Sequence, residues 1–78
     1  MTRVVRIRVG VSRELQLKLE AGSISVSDFT HAIGLSKVDT GRLKDFGILT
    51  GEAEAERLDD LRKRTGIYFI EQDHRRAM

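Results

Sequence analysis

Near the start of the chain, apolar and non-apolar residues alternate with the period of a half-buried β-strand. The apolar positions are Val5, Ile7, Val9 and Val11, and the positions between them hold Arg6, Arg8 and Gly10. Arginine is rarely buried unless it is paired, so the two sides of this strand must face different surroundings. The pattern therefore predicts a sheet with one buried and one solvated face, which is typical of antiparallel sheets.

The chain is short, and its length limits it to one domain. Its 78 residues suffice for a single hydrophobic core, so we assign residues 1–78 to one domain. Cysteine is absent, so no disulfide adds to this small core. The formal net charge is +2, from 14 basic and 12 acidic residues, and this near balance gives little general attraction for polyanions.

No segment has the composition of a signal peptide or a membrane span. The first residues lack an apolar signal-peptide core, and no stretch approaches the ~18 apolar residues of a membrane helix. We therefore expect a cytoplasmic protein without a membrane span. A fragment cut from a longer, secreted precursor would have the same sequence.

Residues 14–20 fit two structures. Leu15, Leu17 and Leu19 alternate with polar residues, which favours a strand. A helix started by Ser12 is the alternative, with Leu15 and Leu19 on one face, but Leu17 fits that stripe badly. We prefer the strand, so that residues 1–13 become an extra N-terminal strand.

The rest of the chain supplies two helices and three strands. Residues 25–34 predict a helix whose first amides are capped by Ser25. Extended runs at 37–46 and 46–53 suggest a hairpin-like pair, 54–65 a charged helix, and 67–73 a strand. From residue 14 the order is strand, helix, strand, strand, helix, strand. That order predicts a ferredoxin-like βαββαβ domain of the α+β class, with both helices on one face of an antiparallel sheet.

The last strand is apolar on both faces, which is unusual in a sheet that is covered on one side. Ile67 and Phe69 share one face, and the acidic residues Glu71 and Asp73 extend it. We expect a partner protein to cover this face, because exposed apolar patches mark interaction surfaces. A second copy of the chain or the N-terminal segment would cover it equally well.

Three segments resemble the propeptides of bacterial subtilisins and the stand-alone inhibitors related to them. Residues 66–74 are similar to the closing strand of those propeptides, which typically reads Val-x-Tyr-Val-Glu-Glu-Asp-His. Residues 58–63 look like their second helix and residues 47–52 like their third strand, so that the resemblance covers residues 42–74. That family folds as a ferredoxin-like domain, in agreement with the order of elements.

The resemblance implies binding to a subtilisin-like serine protease, with inhibition or chaperoned folding of that protease as the result. In the family, the open sheet face packs on two surface helices and an acidic pair caps them. Glu71 and Asp73 would be these caps, and Ile67 and Phe69 would make the apolar contact. The tail would lie in the active-site cleft, with Arg75, Arg76, Ala77 and Met78 in subsites four to one.

Nothing in the sequence indicates catalysis or a cofactor. The sequence has two histidines, His31 and His74, and lacks the HExxH, GxSxG and P-loop motifs. Glu71 and Asp73 are two carboxylates without a third metal ligand. We therefore predict a protein that is not an enzyme and that holds no metal or cofactor.

A second interpretation is an interaction module with a different partner. Arg3, Arg6, Arg8 and Arg13 cluster enough to suggest nucleic acid, although aromatic residues for base stacking are sparse. The same module might equally pair with its own copy through the last strand's face. We expect a monomer or weak homodimer and no binding of nucleic acid.

Overall fold

The alternating segment at the start of the chain forms the central strand β1, Val4–Val11, in this computed structural model, which describes residues 3–72. The elements that follow are α1 (Arg13–Ala21), α2 (Val26–Ala32), β2 (Ser36–Asp39), α3 (Leu43–Phe46), β3 (Ile48–Glu54), a 3-10 turn (Ala55–Arg57), α4 (Leu58–Arg62) and β4 (Ile67–Gln72). The strand order is β2-β3-β1-β4, and every neighbouring pair is antiparallel. The fold is therefore ferredoxin-like α+β, as the order of elements predicted.

Residues 14–20 are helical, so the preference for a strand in this segment was wrong. Ser12 caps α1 by accepting a hydrogen bond from a first-turn amide at 3.1 Å, and Gly22 ends the helix with φ 80°. These caps outweigh the alternation of the leucines, because the helix buries Leu19 and leaves Leu17 exposed. The N-terminal strand is thus the first of four strands in the described residues, and a fifth strand is absent there.

The other predicted elements are present with shifted bounds. Ser25 caps α2, and its hydroxyl accepts a hydrogen bond from the Asp28 amide at 3.3 Å. β2 and β3 form the predicted antiparallel pair, but the one-turn helix α3 lies between them. The charged segment is a 3-10 turn followed by the short helix α4, rather than one continuous helix.

The helices cover one face of the sheet. The central strands point Ile7, Val9 and Leu49 toward them, and all three side chains are fully buried. The helical side and its connections contribute Leu19, Ile33, Leu35, Leu43, Leu58 and Leu61 to the same core. Burial of each such side chain stabilises the fold by about 1.5–3 kcal/mol relative to exposure. The opposite face of the sheet has no helix over it among these elements and carries the functional candidates.

The outer strand β2 is irregular. Its register with β3 shifts between Ser36 and Asp39. Lys37 lies within the shift and adopts φ 50°, a left-handed conformation that is uncommon for a residue with a side chain. The backbone of this edge therefore departs from the regular ladder that another strand would need for pairing.

The other outer strand, β4, contains a β-bulge. Val11 pairs with Ile67, whereas the preceding residue Gly10 pairs with Phe69. Tyr68 is therefore an extra residue on β4 without a partner on β1, as in a bulge. The extra residue inverts the alternation of the strand at this point and decides which side chains enter the core.

A buried glutamine joins α1 to α3. Gln16 is 5% exposed, and its side-chain amide donates hydrogen bonds to the carbonyl oxygens of Leu43 and Lys44, each at 2.9 Å. A helix leaves its last carbonyls without intrahelical partners, so this amide satisfies two acceptors that the short helix α3 cannot satisfy itself. The contact fixes the turn that leads into β3.

Replacement of the glutamine by leucine tests this contact. Gln16→Leu keeps the approximate size of the side chain and does not lower helix propensity, but it leaves two carbonyls without donors. We expect the free energy of unfolding to fall by about 1–3 kcal/mol, measured by urea denaturation. Glu20→Leu, on the exposed side of α1, is the matched control and should change it by less than about 0.5 kcal/mol. Equal urea midpoints for the two variants would contradict the assignment.

Candidate docking face

The open face consists of the β1, β3 and β4 residues that alternate with the core residues. It comprises Val4, Arg6, Arg8 and Gly10 of β1, Ile48, Thr50, Glu52 and Glu54 of β3, and Phe69 and Glu71 of β4. The strand registers arrange these residues in rows. One row contains Phe69, Gly10 and Ile48, and the next contains Glu71, Arg8 and Thr50. The open face is thus apolar at one end and charged over the rest.

Phe69 is held on the open face by the missing side chain of Gly10. The phenyl ring occupies the space where a Gly10 side chain would lie, and a Cβ added to this glycine would overlap several ring carbons. Gly10 is buried under the ring, yet Phe69 itself remains 40% exposed. An aromatic ring that is fixed on one side and exposed on the other is suited to anchor a partner protein.

The prediction that Ile67 and Phe69 make one shared apolar contact was wrong. Regular alternation would place both on the same face, but the bulge at Tyr68 turns Ile67 into the core. Ile67 is 8% exposed there and Ile70 is 6% exposed, while Tyr68 is 74% exposed. The bulge therefore explains the apolar character on both sides of this strand, and it leaves Phe69 as the member of the predicted pair that faces outward.

Glu71 lies on the open face, where the sequence predicted it, but it is paired within the chain. Nη2 of Arg8 is 3.4 Å from Oε1 of Glu71, and both side chains are partly exposed. Such a pair contributes at most about 1 kcal/mol to stability. It also neutralises part of the charge with which Glu71 would meet a positive helix terminus.

Arg8 has a donor that the fold does not use. Its Nε is buried, and the part of the chain that the structure describes offers it no hydrogen-bond acceptor. A buried donor without an acceptor costs about 1–3 kcal/mol, which makes such groups rare in folded proteins. Neither this residue nor Gly10 was singled out as part of the site from the sequence, although both stand in the alternating segment with which the chain begins.

The remaining acidic residues of the open face are paired as well. Lys37 Nζ lies 3.7 Å from Oε1 of Glu52, and Arg57 Nε lies 2.9 Å from Oε1 of Glu54. Acidic and basic side chains thus alternate across the strands. The open face as a whole is not a basic surface of the kind that binds nucleic acid through many phosphate contacts.

The arginines that suggested nucleic acid are divided by the fold. Arg6 and Arg8 lie on the open face, and Arg6 is opposite Glu52 in the register of β1 and β3. Arg3 precedes the strand, and Arg13 begins α1 at its other end. The cluster seen in the sequence is therefore not a single patch in space.

The predicted tail contacts lie outside the described residues. They are Asp73, Arg75, Arg76, Ala77 and Met78, together with His74 between them. Within residues 3–72, no group of three or more histidine or acidic residues is placed to hold a metal ion. The helices in that range are all too short or too polar to span a membrane.

Comparison with known proteins does not assign the chain to a family. No protein-family model matches it, and searches of curated proteins and of solved structures find no similar protein. The fold and the open face described above are therefore the basis for any functional proposal, together with the resemblance of residues 42–74 to subtilisin propeptides.

A double-mutant cycle tests the packing of Phe69 on Gly10. Gly10→Ala should lower the free energy of unfolding by about 1–3 kcal/mol, because the new methyl group displaces the ring. In a Phe69→Ala background the same change should cost much less, because the space is then empty. Thermal or urea unfolding of the four proteins measures the coupling. Additive effects of the two substitutions would show that the ring does not lie over the glycine.

Proposed function

We propose that this protein is a binding domain that docks on a subtilisin-like serine protease through its open face, and that it inhibits the protease or assists its folding. The observation that carries the proposal is the position of Phe69. This ring is fixed over Gly10, stays 40% exposed, and lies on the sheet face without a helix. Glu71 follows it on the same face of the same strand.

The sequence that follows β4 supports the choice of partner. β4 ends at Gln72, and residues 73–78 come directly after it. In the subtilisin propeptides that the sequence resembles, the segment after this strand enters the active-site cleft. Docking of the open face would therefore bring the tail to the protease, with Asp73 at the interface and Met78 in the primary specificity pocket.

Binding through the face is required for the tail to inhibit. A short product-like peptide is weakly bound by itself, because association has a large entropic cost. A folded domain that is already docked raises the effective concentration of its tail at the cleft. The same contacts favour the folded protease over its unfolded form, so that assistance of folding follows from binding. The cytoplasmic location expected from the sequence is part of this proposal, and fractionation of cells that express the full chain would test it.

Titration against subtilisins tests the proposal. The wild-type chain should inhibit at least one of several subtilisins at micromolar or lower concentration. Phe69→Ala should raise the inhibition constant about tenfold or more, because it removes the exposed part of the anchor. Leu17→Ala is the matched control, since it removes a half-exposed apolar side chain from α1, on the helical side of the sheet. It should change the constant less than about twofold.

Three results would argue against the proposal. The first is the absence of any complex or inhibition with all the subtilisins tried. The second is an equal effect of the Phe69 and Leu17 substitutions, because binding would then not involve the open face. The third is a concentration-dependent homodimer whose dissociation is sensitive to Phe69→Ala, because a second copy would then be the occupant of the face. Circular dichroism of each variant ensures that a loss of binding is not a loss of folding.

A further inference from the structure

The charges on the open face do not balance at the level of hydrogen bonds. Its three glutamates each have a basic partner within the chain: Arg8 for Glu71, Lys37 for Glu52, and Arg57 for Glu54. Arg8 is different, because its guanidinium has five N–H donors and a single 3.4 Å contact to Glu71. Its Nε donor is buried without an acceptor among the described residues. The open face therefore lacks an acceptor at Arg8, whereas its acids already have partners.

Arg8 is also well placed for contact with a partner. It lies in the row next to Phe69 and Gly10, between Glu71 on β4 and Thr50 on β3. Its side chain is 41% exposed, so that part of the guanidinium is accessible from the solvent. An acceptor that reaches this point would be beside the aromatic anchor, where water is excluded on docking and a charge-assisted hydrogen bond is strong.

A carboxylate fits this position better than a phosphate chain does. A carboxylate accepts two parallel hydrogen bonds from the edge of a guanidinium. The flanking Glu71 and Glu52 would repel a polyanion that extends over several residues, whereas one acidic side chain can reach Arg8 between them. Phe69 and Ile48 in the adjacent row offer apolar contact to a protein surface.

We propose that Arg8 determines the specificity of the open face by binding an acidic side chain of the docked protein, through Nε and Nη2 together. The partner's carboxylate takes over the contact that Glu71 makes in the free chain and supplies the acceptor that Nε lacks. This inference rests on the proposed function only for the identity of the docked protease. It differs from the role implied by the resemblance, in which the acids of this chain act on the partner.

The test combines protease binding with a direct probe of the Arg8 donor. Arg8→Lys keeps the charge but removes Nε and the planar fork, and Arg8→Met removes the charge as well. Both should weaken protease binding about tenfold or more. Arg13→Met removes the same charge at the start of α1 and should change binding less than about twofold. Thermal unfolding verifies that each variant is folded.

Nuclear magnetic resonance on the 15N-labelled full chain gives a readout without any protease. The Nε–Hε signal of Arg8 is assigned by its absence in Arg8→Lys. Sodium acetate should shift this signal more than sodium chloride does at equal ionic strength, and Glu71→Gln should increase the shift because it weakens the internal competitor.

The outcomes separate the two proposals. Protease binding that is unchanged in both Arg8 variants would overturn the role of Arg8 and leave the proposed function intact. A chain that binds no protease but shows the acetate shift would support the acceptor site and count against the protease. An Arg8 signal that does not respond to acetate, with variants that change only stability, would show that Arg8 and Glu71 are a structural pair. Tight, salt-sensitive binding of duplex DNA that shifts the Arg8 signal would overturn the acidic-protein partner in favour of nucleic acid.

Discussion

Burial on one side of the sheet is the constraint on which the rest of this structure depends. The helices cover the side that carries Ile7, Val9 and Leu49, and these residues are fully removed from water. The domain is small, so this single apolar layer supplies most of the free energy that opposes chain entropy. Residues that alternate with the layer must lie on the opposite face. The fold therefore determines which residues a partner can meet, and it does so through the period of the strands.

The order of elements was largely readable from the sequence, because alternation and capping are local signals. The strand at residues 4–11, the helix that Ser25 caps and the final strand follow from them directly. The segment after Ser12 was misread because three alternating leucines suggest a strand, whereas the cap hydrogen bond and Gly22 favour a helix. The burial of Gln16 could not be foreseen, because its acceptors belong to α3, distant in sequence.

The candidate site was less predictable than the fold. Phe69 and Glu71 were expected on the uncovered side and lie there, but Ile67 lies in the core. No local pattern reveals the bulge at Tyr68, because its cause is the need to bury both Ile67 and Ile70, three residues apart. The contribution of Gly10 was equally hidden. A glycine in an alternating segment marks a gap in the side-chain row, but the residue that fills the gap comes from a strand 59 positions later.

The two irregular outer strands have a consequence for how this protein behaves at high concentration. Sheets grow into fibres when a straight, fully exposed rim accepts the same rim of another molecule, and the process repeats at the far side. Here one rim is distorted around Lys37 and the other around Tyr68. Indefinite stacking is thereby opposed at both ends of the sheet. A small domain without disulfides can thus keep a sticky aromatic surface for its partner and still remain dispersed before the two meet.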